Sequence, residues 1–372
     1  MEDVIAVRIV LAGALLATGC KQLLGIDDVS DLSADAATDV IGGTDALDAP
    51  DGAFCYGTQT LLRVCLATEP MNTLTIAGST VIDTDAAGEC LHVTTTQNTK
   101  VCVIAAQSIT ISAAGTLHPL GTRPIVLVAA QQISVDGAID VSGLATVAAA
   151  GSNPGTCATT NNGVIAGGGA GGSFGHIGAR GGSGNGGIGG IPAPVSPPLI
   201  RGGCPGGLGA DGTGGVGGSR GGSGGGAVDL IAGTSITIAG TINASGDGGL
   251  GGMGATKGGG GGGGSGGLIA IDAPSFALFG TLMANGGGGG GGAGGAGPPS
   301  SGGRAMFSSP TQGGLGGSGL AAGGEGGGTL DASPGIDGMN GTGGGGGGGG
   351  GGVVLITAPN PTLSGTVSPP RS

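Results

Sequence analysis

The stretch Ile133–Gly143, "ISVDGAIDVSG", decides the reading of the fold because it recurs downstream. "ITIAGTINASG" (Ile236–Gly246), "FALFGTLMANG" (Phe276–Gly286) and "PTLSGTVSPP" (Pro361–Pro370) align with it on the central glycines Gly137, Gly240, Gly280 and Gly365. Two residues before the glycine stand Val135, Ile238, Leu278 and Leu363. Two residues after it stand Ile139, Ile242, Leu282 and Val367. Each copy follows a second apolar run: "IVLVAA" (Ile125–Ala130), "VDLIAG" (Val228–Gly233), "LIAIDAP" (Leu268–Pro274) and "VVLITAP" (Val353–Pro359). A looser copy surrounds Gly115, with Ile109, Ile111 and Leu117. Apolar residues at even offsets lie on one side of a strand. Equivalent residues from successive copies can then stack into one core, which is the logic of a solenoid. The glycine-to-glycine spacings are 22, 103, 40 and 85 residues, so short coils alternate with long insertions. The expected fold class is all-β: a parallel β-helix or solenoid-like repeat with glycine-rich, polyglycine or polyproline-II-like insertions. The alternative is an antiparallel β-sandwich with disordered glycine loops.

The insertions have their own pattern. In "GGLGADGTGGVGGSRGGSGGG" (Gly206–Gly226), Gly206, Gly209, Gly212, Gly215, Gly218, Gly221 and Gly224 keep a strict period of three. Gly169 to Gly190 and Gly335 to Gly350 contain similar runs. A polyproline-II helix has three residues per turn, so period-three glycine makes one bare face along which backbones can approach closely. Packed polyglycine strands are one reading, and flexible surface loops are the other.

Of 372 residues, 99 are glycine, while charged residues make up 9% and aromatics 2%. Chains that stay disordered usually combine low hydrophobicity with high charge, and here the hydrophobic fraction is 38%. A core of small side chains is therefore expected. The net charge of −12, with 11 scattered basic residues, argues against nucleic acid as a partner.

Domain organisation follows composition. Residues 1–19 read as a signal peptide, with the short apolar run Ile9–Ala17. "LATGC" ends at Cys20 and resembles a bacterial lipobox, although Ala17 stands where that signal usually has Leu. The resemblance implies lipidation at Cys20 and a lipid anchor in the membrane; the alternative is a plain secretory signal. Lys21 after the cysteine favours the outer membrane. Residues 20–54 form a lipidated N-terminus and an acidic linker, with eight Asp and no Lys or Arg between Gly25 and Ala53. Such a linker reaches about 30 Å as a random coil. Residues 55–150 form a β-repeat region with disulfides, and 151–372 a glycine-rich region with interspersed β-repeats.

Without Cys20, six cysteines remain: Cys55, Cys65, Cys90, Cys102, Cys157 and Cys204. An even number in an exported chain reads as disulfides. Six cysteines allow 15 connectivities, of which neighbour pairing closes the shortest segments. No CxxC occurs and only three histidines exist, so no metal and no cofactor are expected.

Motifs for chemistry are weak. "GGSRG" (Gly217–Gly221), "GGSGG" (Gly221–Gly225) and "GGSGG" (Gly263–Gly267) match GxSxG, but a nucleophile elbow needs a strand before and a helix after. "GGLGADGTG" (Gly206–Gly214) is one copy of a calcium motif that works in tandem. "IDTD" (Ile82–Asp85) places two carboxylates on one face if extended. His118, before Pro119, reads as a turn residue and His176 as exposed. No catalytic residue is assigned.

In its GGX pattern the composition resembles glycine-bundle proteins such as springtail antifreezes and some phage tail adhesins. The whole layout resembles glycine-rich surface lipoproteins of myxobacterial type, through "GIDD" (Gly25–Asp28), "CYG…VCL" (Cys55–Leu66), "RGGC" (Arg201–Cys204) and "GGGGGGGSGG" (Gly258–Gly267). The expected function is a non-enzymatic structural or adhesive cell-envelope lipoprotein, surface-exposed, with an envelope or extracellular polysaccharide or another surface protein as partner. The alternatives are a polysaccharide-active β-helix enzyme, which the six Phe and Tyr disfavour as sugar platforms, and an ice- or surface-binding protein.

Overall fold

The computed structural model describes residues 53–371, apart from 59–60, 96–98, 145–147, 158–161, 185–187, 194–199, 213–218, 254–256, 295–298, 306–308, 329–330 and 339–341. The signal segment, Cys20 and the acidic linker up to residue 52 lie outside the described residues. Among the described residues the regular structure is strand, with no helix.

A small hairpin comes first, β1 (Phe54–Tyr56) and β2 (Val64–Leu66). There follow β3 (Thr73–Ile76), β4 (Ser79–Asp83), β5 (Leu91–Thr94), β6 (Lys100–Ile111), β7 (Thr116–Leu120), β8 (Ile125–Val135) and β9 (Ala138–Asp140). Three triplets complete the set: β10 (Ala227–Ala232), β11 (Ser235–Ile238) and β12 (Thr241–Asn243); β13 (Leu268–Asp272), β14 (Ser275–Leu278) and β15 (Thr281–Met283); β16 (Val353–Thr357), β17 (Thr362–Leu363) and β18 (Thr366–Ser368).

These strands build two sheets. The ten-stranded sheet runs β16-β13-β10-β8-β11-β14-β17, with β6 also on β8 and β3 and β5 on β6. The six-stranded sheet runs β18-β15-β12-β9-β7-β4. The repeat alignment is the strand register. Val135 pairs with Ile238, Ile238 with Leu278, and Leu278 with Leu363. Ile139 pairs with Ile242, Ile242 with Leu282, and Leu282 with Val367. The central glycines stack at the corner between the sheets. A Cβ on Gly240 would overlap the Gly137 carbonyl oxygen, and one on Gly280 would overlap that of Gly240.

One core fills the space between the sheets and includes Ile109, Leu117, Val135, Ile139, Ile238, Ile242, Leu278 and Leu282. A second lies on the opposite face of the large sheet. There Leu62 and Val64 of the hairpin segment, with Phe174 and Ile200, cover Val126, Val128, Ile231 and Ala270. β8 and β10 are thus buried on both faces. This explains their near-continuous apolar sequence, the usual signature of parallel strands covered on both sides.

Neither the expected parallel β-helix or solenoid nor the alternative sandwich describes the whole. The sheets form a curled half-barrel of mixed character. β5 is antiparallel on β6, and the large sheet branches at β8, whose first half pairs with β10 and second half with β11. A solenoid buries its core through contacts between successive repeats alone. Here the chain leaves the sheets three times, after β9, β12 and β15, and returns into β10, β13 and β16. The glycine-rich excursions pack against one another across large sequence separations, and this bundle is the second half of the architecture. The described stretches are largely buried, which does not fit the alternative of disordered loops.

The bundle's geometry follows from hydrogen bonds. Consider the central strand, residues 259–267. The N–H groups of Gly259, Gly262 and Ser265 donate to Ala210, Gly207 and Cys204, on a segment running antiparallel. Those of Gly260, Gly263 and Gly266 donate to Gly344, Gly347 and Gly350, on a parallel segment. Those of Gly261, Gly264 and Gly267 donate to Leu250, Asp247 and Ala244, on a third segment. The carbonyls reach three further segments: Gly260 and Gly263 accept from Gly169 and Gly172, Gly262 and Ser265 from Gly222 and Gly225, and Gly261 and Gly264 from Gly290 and Gly287. Bonding direction rotates with a period of three, the period of a polyproline-II-type helix. The central strand therefore has six neighbours. No face is free for a side chain, which is why its sequence is almost unbroken glycine.

Three disulfides tie the structure together. Cys55–Cys65 spans the β1–β2 hairpin, Cys90–Cys102 holds the segment before β5 to β6, and Cys157–Cys204 clamps the entrance to the bundle. Their partners are sequence neighbours throughout.

Gly263 and Gly155 separate close packing from mere composition. A Cβ on Gly263 would overlap the Gly287 carbonyl, whereas one on Gly155 meets nothing within 4 Å. Gly263→Ala is expected to destabilise by about 3 kcal/mol, as overpacking does. Gly155→Ala is expected to be neutral or stabilising by a few tenths of a kcal/mol. Thermal denaturation of the two variants checks this, and equal melting temperatures would remove the packed-bundle account.

Candidate functional site

The strand β10, "AVDLIA", carries a carboxylate inside an apolar run. Its alternate residues Val228, Leu230 and Ala232 enter the core between the sheets. Ala227, Asp229 and Ile231 therefore point to the opposite face, under the β1–β2 cover, where Ala227 and Ile231 belong to the second core. In register, Asp229 lies between Val126 on β8 and Ala270 on β13. Two residues beyond Ala270, on the same face, is Asp272, paired with Thr357 on β16.

Asp229 is 2% exposed, and its Oδ1 has no hydrogen-bond partner. Burial, and secondarily the charge of Asp272, push its carboxyl from 3.8 up to about 7. Asp272 is half-buried and accepts two hydrogen bonds through Oδ2, from Thr58 N at 2.6 Å and Thr58 Oγ1 at 2.7 Å. A cavity of about 230 Å³ adjoins both carboxylates, with Leu61, Leu62, Ala270, Leu355 and Thr357 among its lining residues. Such a space is small beside the pockets of about 300–1,000 Å³ that hold drug-sized ligands. That volume limits any occupant to a compact molecule.

Neither aspartate was singled out by motif reasoning. The available signal was a carboxylate in a strand whose neighbours are apolar at both odd and even offsets. Such a strand is covered on both faces, so its Asp must be buried.

The sequence-derived candidates lie elsewhere. The "IDTD" carboxylates serve local structure. Asp83 Oδ1 accepts from Asp85 N, and Asp85 accepts from Thr122 N at 2.6 Å and Thr122 Oγ1 at 2.7 Å. Arg123 stands 3.8 Å from Asp85 and reaches the His92 ring, whose pKa is lowered by partial burial and by that guanidinium. His118 is not a turn residue: it lies in β7, with Nδ1 3.9 Å from Asp140 Oδ2. His176 is exposed. The GxSxG serines are bundle residues. Ser219 donates to the Gly259 carbonyl, and Ser265 Oγ accepts from Cys204 N. In the calcium-type match, Gly206 and Gly209 donate to Gly222 and Ser219 within the bundle, and residues 213–214 lie outside the described residues. Among the described residues no group of three or more His, Cys, Asp or Glu is placed to hold a metal ion.

A second buried charge sits at the bundle entrance. Arg201 is 3% exposed and stacks on the Phe174 ring, 4.6 Å from its centroid. Its Nη1 lies 3.4 Å from Cys157 Sγ and 3.3 Å from Cys204 Sγ, while Nε and Nη2 have no partner. Burial pulls its pKa below the ordinary arginine value.

No family model matches the chain, and no curated protein or solved structure matches it either.

The Asp229 carboxyl makes stability depend on pH in a defined sense. Its folded pKa is raised, so the folded state holds the proton more tightly than the unfolded chain, and stability falls as pH rises from about 4 to about 7. The move from 3.8 to about 7 corresponds to at most ~4 kcal/mol. Asp229→Asn is expected to flatten that slope and to be the more stable form at pH 8, with little difference at pH 4. Urea unfolding of both proteins at the two pH values measures it; a parallel pH dependence would show that Asp229 is not the group responsible.

Proposed function

We propose that this chain is a non-enzymatic structural or adhesive lipoprotein of the cell envelope, anchored by lipid at Cys20 and displayed on the surface. The observation that supports this reading is the rim of the glycine bundle. Val164 is 56% exposed, Ile188 66%, Leu320 62% and Ile336 58%. A single exposed aliphatic residue is ordinary, but these sit on strands that neighbour one another. Val164 N donates to Ile188 O, and Gly163 N beside it donates to Leu208 O, so three exposed aliphatic residues share one end of the bundle. Contiguous apolar surface marks contact sites. The hydrogen-bonded backbone beneath fixes the main chain that carries these side chains, which lowers part of the entropic cost of binding. The partner is envelope or extracellular polysaccharide or another surface protein. Nucleic acid does not suit a chain of net charge −12.

The decisive measurement is protease treatment of unbroken producing cells, followed by blotting for the glycine-rich region. Loss of signal is expected. Full protection until lysis would overturn surface display. In a companion assay, replacing Val164 and Ile188 together by Ser is expected to reduce adhesion of the cells several-fold while the melting temperature stays within a few degrees. Unchanged adhesion would remove the rim from the mechanism.

A further inference from the structure

We infer that the cavity between Asp229 and Asp272 is a binding site for a small organic cation, a primary ammonium carried on a short aliphatic body. Three observations carry this. Asp229 lines the cavity, is 2% exposed, and leaves Oδ1 without a hydrogen-bond partner. A buried carboxylate oxygen without a donor is costly, and a ligand that brings N–H donors and positive charge would relieve that cost. Asp272, on the same sheet face, supplies a second carboxylate held in place by Thr58. An ammonium group has three donors, enough to bridge both carboxylates. The remaining lining includes the aliphatic side chains of Leu61, Leu62 and Leu355, suited to a hydrocarbon body and not to a hydrated metal ion. Calcium takes six to eight oxygen ligands, more than two carboxylates and the Thr357 hydroxyl provide.

The neighbouring elements fix the expected pH response. β8 and β16 contain no titratable residue, β13 contributes Asp272, and the covering hairpin segment contains Tyr56 and Arg63. Asp272 is the charge that acts on Asp229. A primary alkylammonium stays protonated to about pH 10. Binding is therefore expected to strengthen as pH rises through the titration of Asp229, and the site stands independently of where the chain is displayed.

The test is calorimetric titration of the full chain with n-butylammonium chloride at pH 8 and pH 5, with n-butanol and calcium chloride as comparison probes. Saturable one-to-one binding is expected at pH 8, at least tenfold weaker at pH 5 and at least tenfold weaker in Asp229→Asn. Asp272→Asn, as the second variant, is expected to weaken binding while leaving Asp229 in place. Absence of saturable binding to a chain whose melting transition is intact would overturn the inference. So would undiminished binding in Asp229→Asn, equal binding of butanol, or displacement of the amine by micromolar calcium.

Discussion

The fold depends on one requirement: every backbone N–H and C=O inside the glycine bundle must find a partner on another strand. Buried main-chain groups are almost always paired, and a three-residue-per-turn strand makes no hydrogen bonds within itself. The central strand therefore needs neighbours in six directions, and it has them. Glycine is the residue that loses most conformational entropy on folding, so isolated glycine tracts of this kind would not order alone. The two sheets supply what the tracts lack. Each excursion starts from a strand of the six-stranded sheet and ends in a strand of the ten-stranded sheet, so both ends are fixed by packed β-structure. The Cys157–Cys204 bridge closes part of the longest path before β10, and in the chain-entropy view a cross-link of that separation restricts the unfolded chain substantially.

The strand region answers to a different constraint, that of a sheet covered on both faces. Where β8, β10 and β13 pass under the hairpin, both odd and even residues are buried, and the sequence becomes continuously apolar. Asp229 breaks that rule. Its position between Val126 and Ala270 leaves it 2% exposed, and the repulsion from Asp272 adds to the cost. A residue that weakens the fold at neutral pH while facing a cavity is what the proposed cation site would account for. Arg201 is a second buried charge and is only partly satisfied, with Nε and Nη2 unpartnered. Its buried guanidinium spreads its charge over the Phe174 face and the two sulfurs of a disulfide.

How much of this was legible differs sharply between the two halves. Even-offset apolar residues around Gly137, Gly240, Gly280 and Gly365 identify their register partners, because a strand's side-chain alternation and its pairing are the same information. The disulfide partners follow the chain order of the cysteines. The overall class did not follow. A repeat at even offsets suits a solenoid, but long insertions that pack on one another give the chain contacts that no repeat contains. Nor could the order of strands in the bundle be read, since a run such as Gly343–Gly352 has no side chains to distinguish its six faces. Asp229 and Asp272 were hidden for a related reason. They are 43 residues apart in sequence and adjacent only because β10 and β13 are.

The period-three pattern acquires a specific meaning in this geometry. An interior strand touches neighbours on all sides and requires glycine at nearly every position, as in residues 258–264. A peripheral strand has one side facing out, and one residue in three along it is free to carry a side chain. Leu208, Leu250 and Leu315 are such residues, each flanked by glycines on both sides and each exposed by more than a third. The run of pure glycine at 258–264 lies in the interior, while the GGX runs are mixed: some of their side chains, such as Leu208 and Ile188, face out, and others, such as Ala170, Phe174 and Ala210, are buried. Because the outward residue contributes little to the packing beneath it, its identity can change without disturbing the backbone lattice. The bundle separates what holds the structure together, which is main chain, from what the structure presents, which is side chain. That separation suits a molecule whose contacts with its surroundings are made by a broad face.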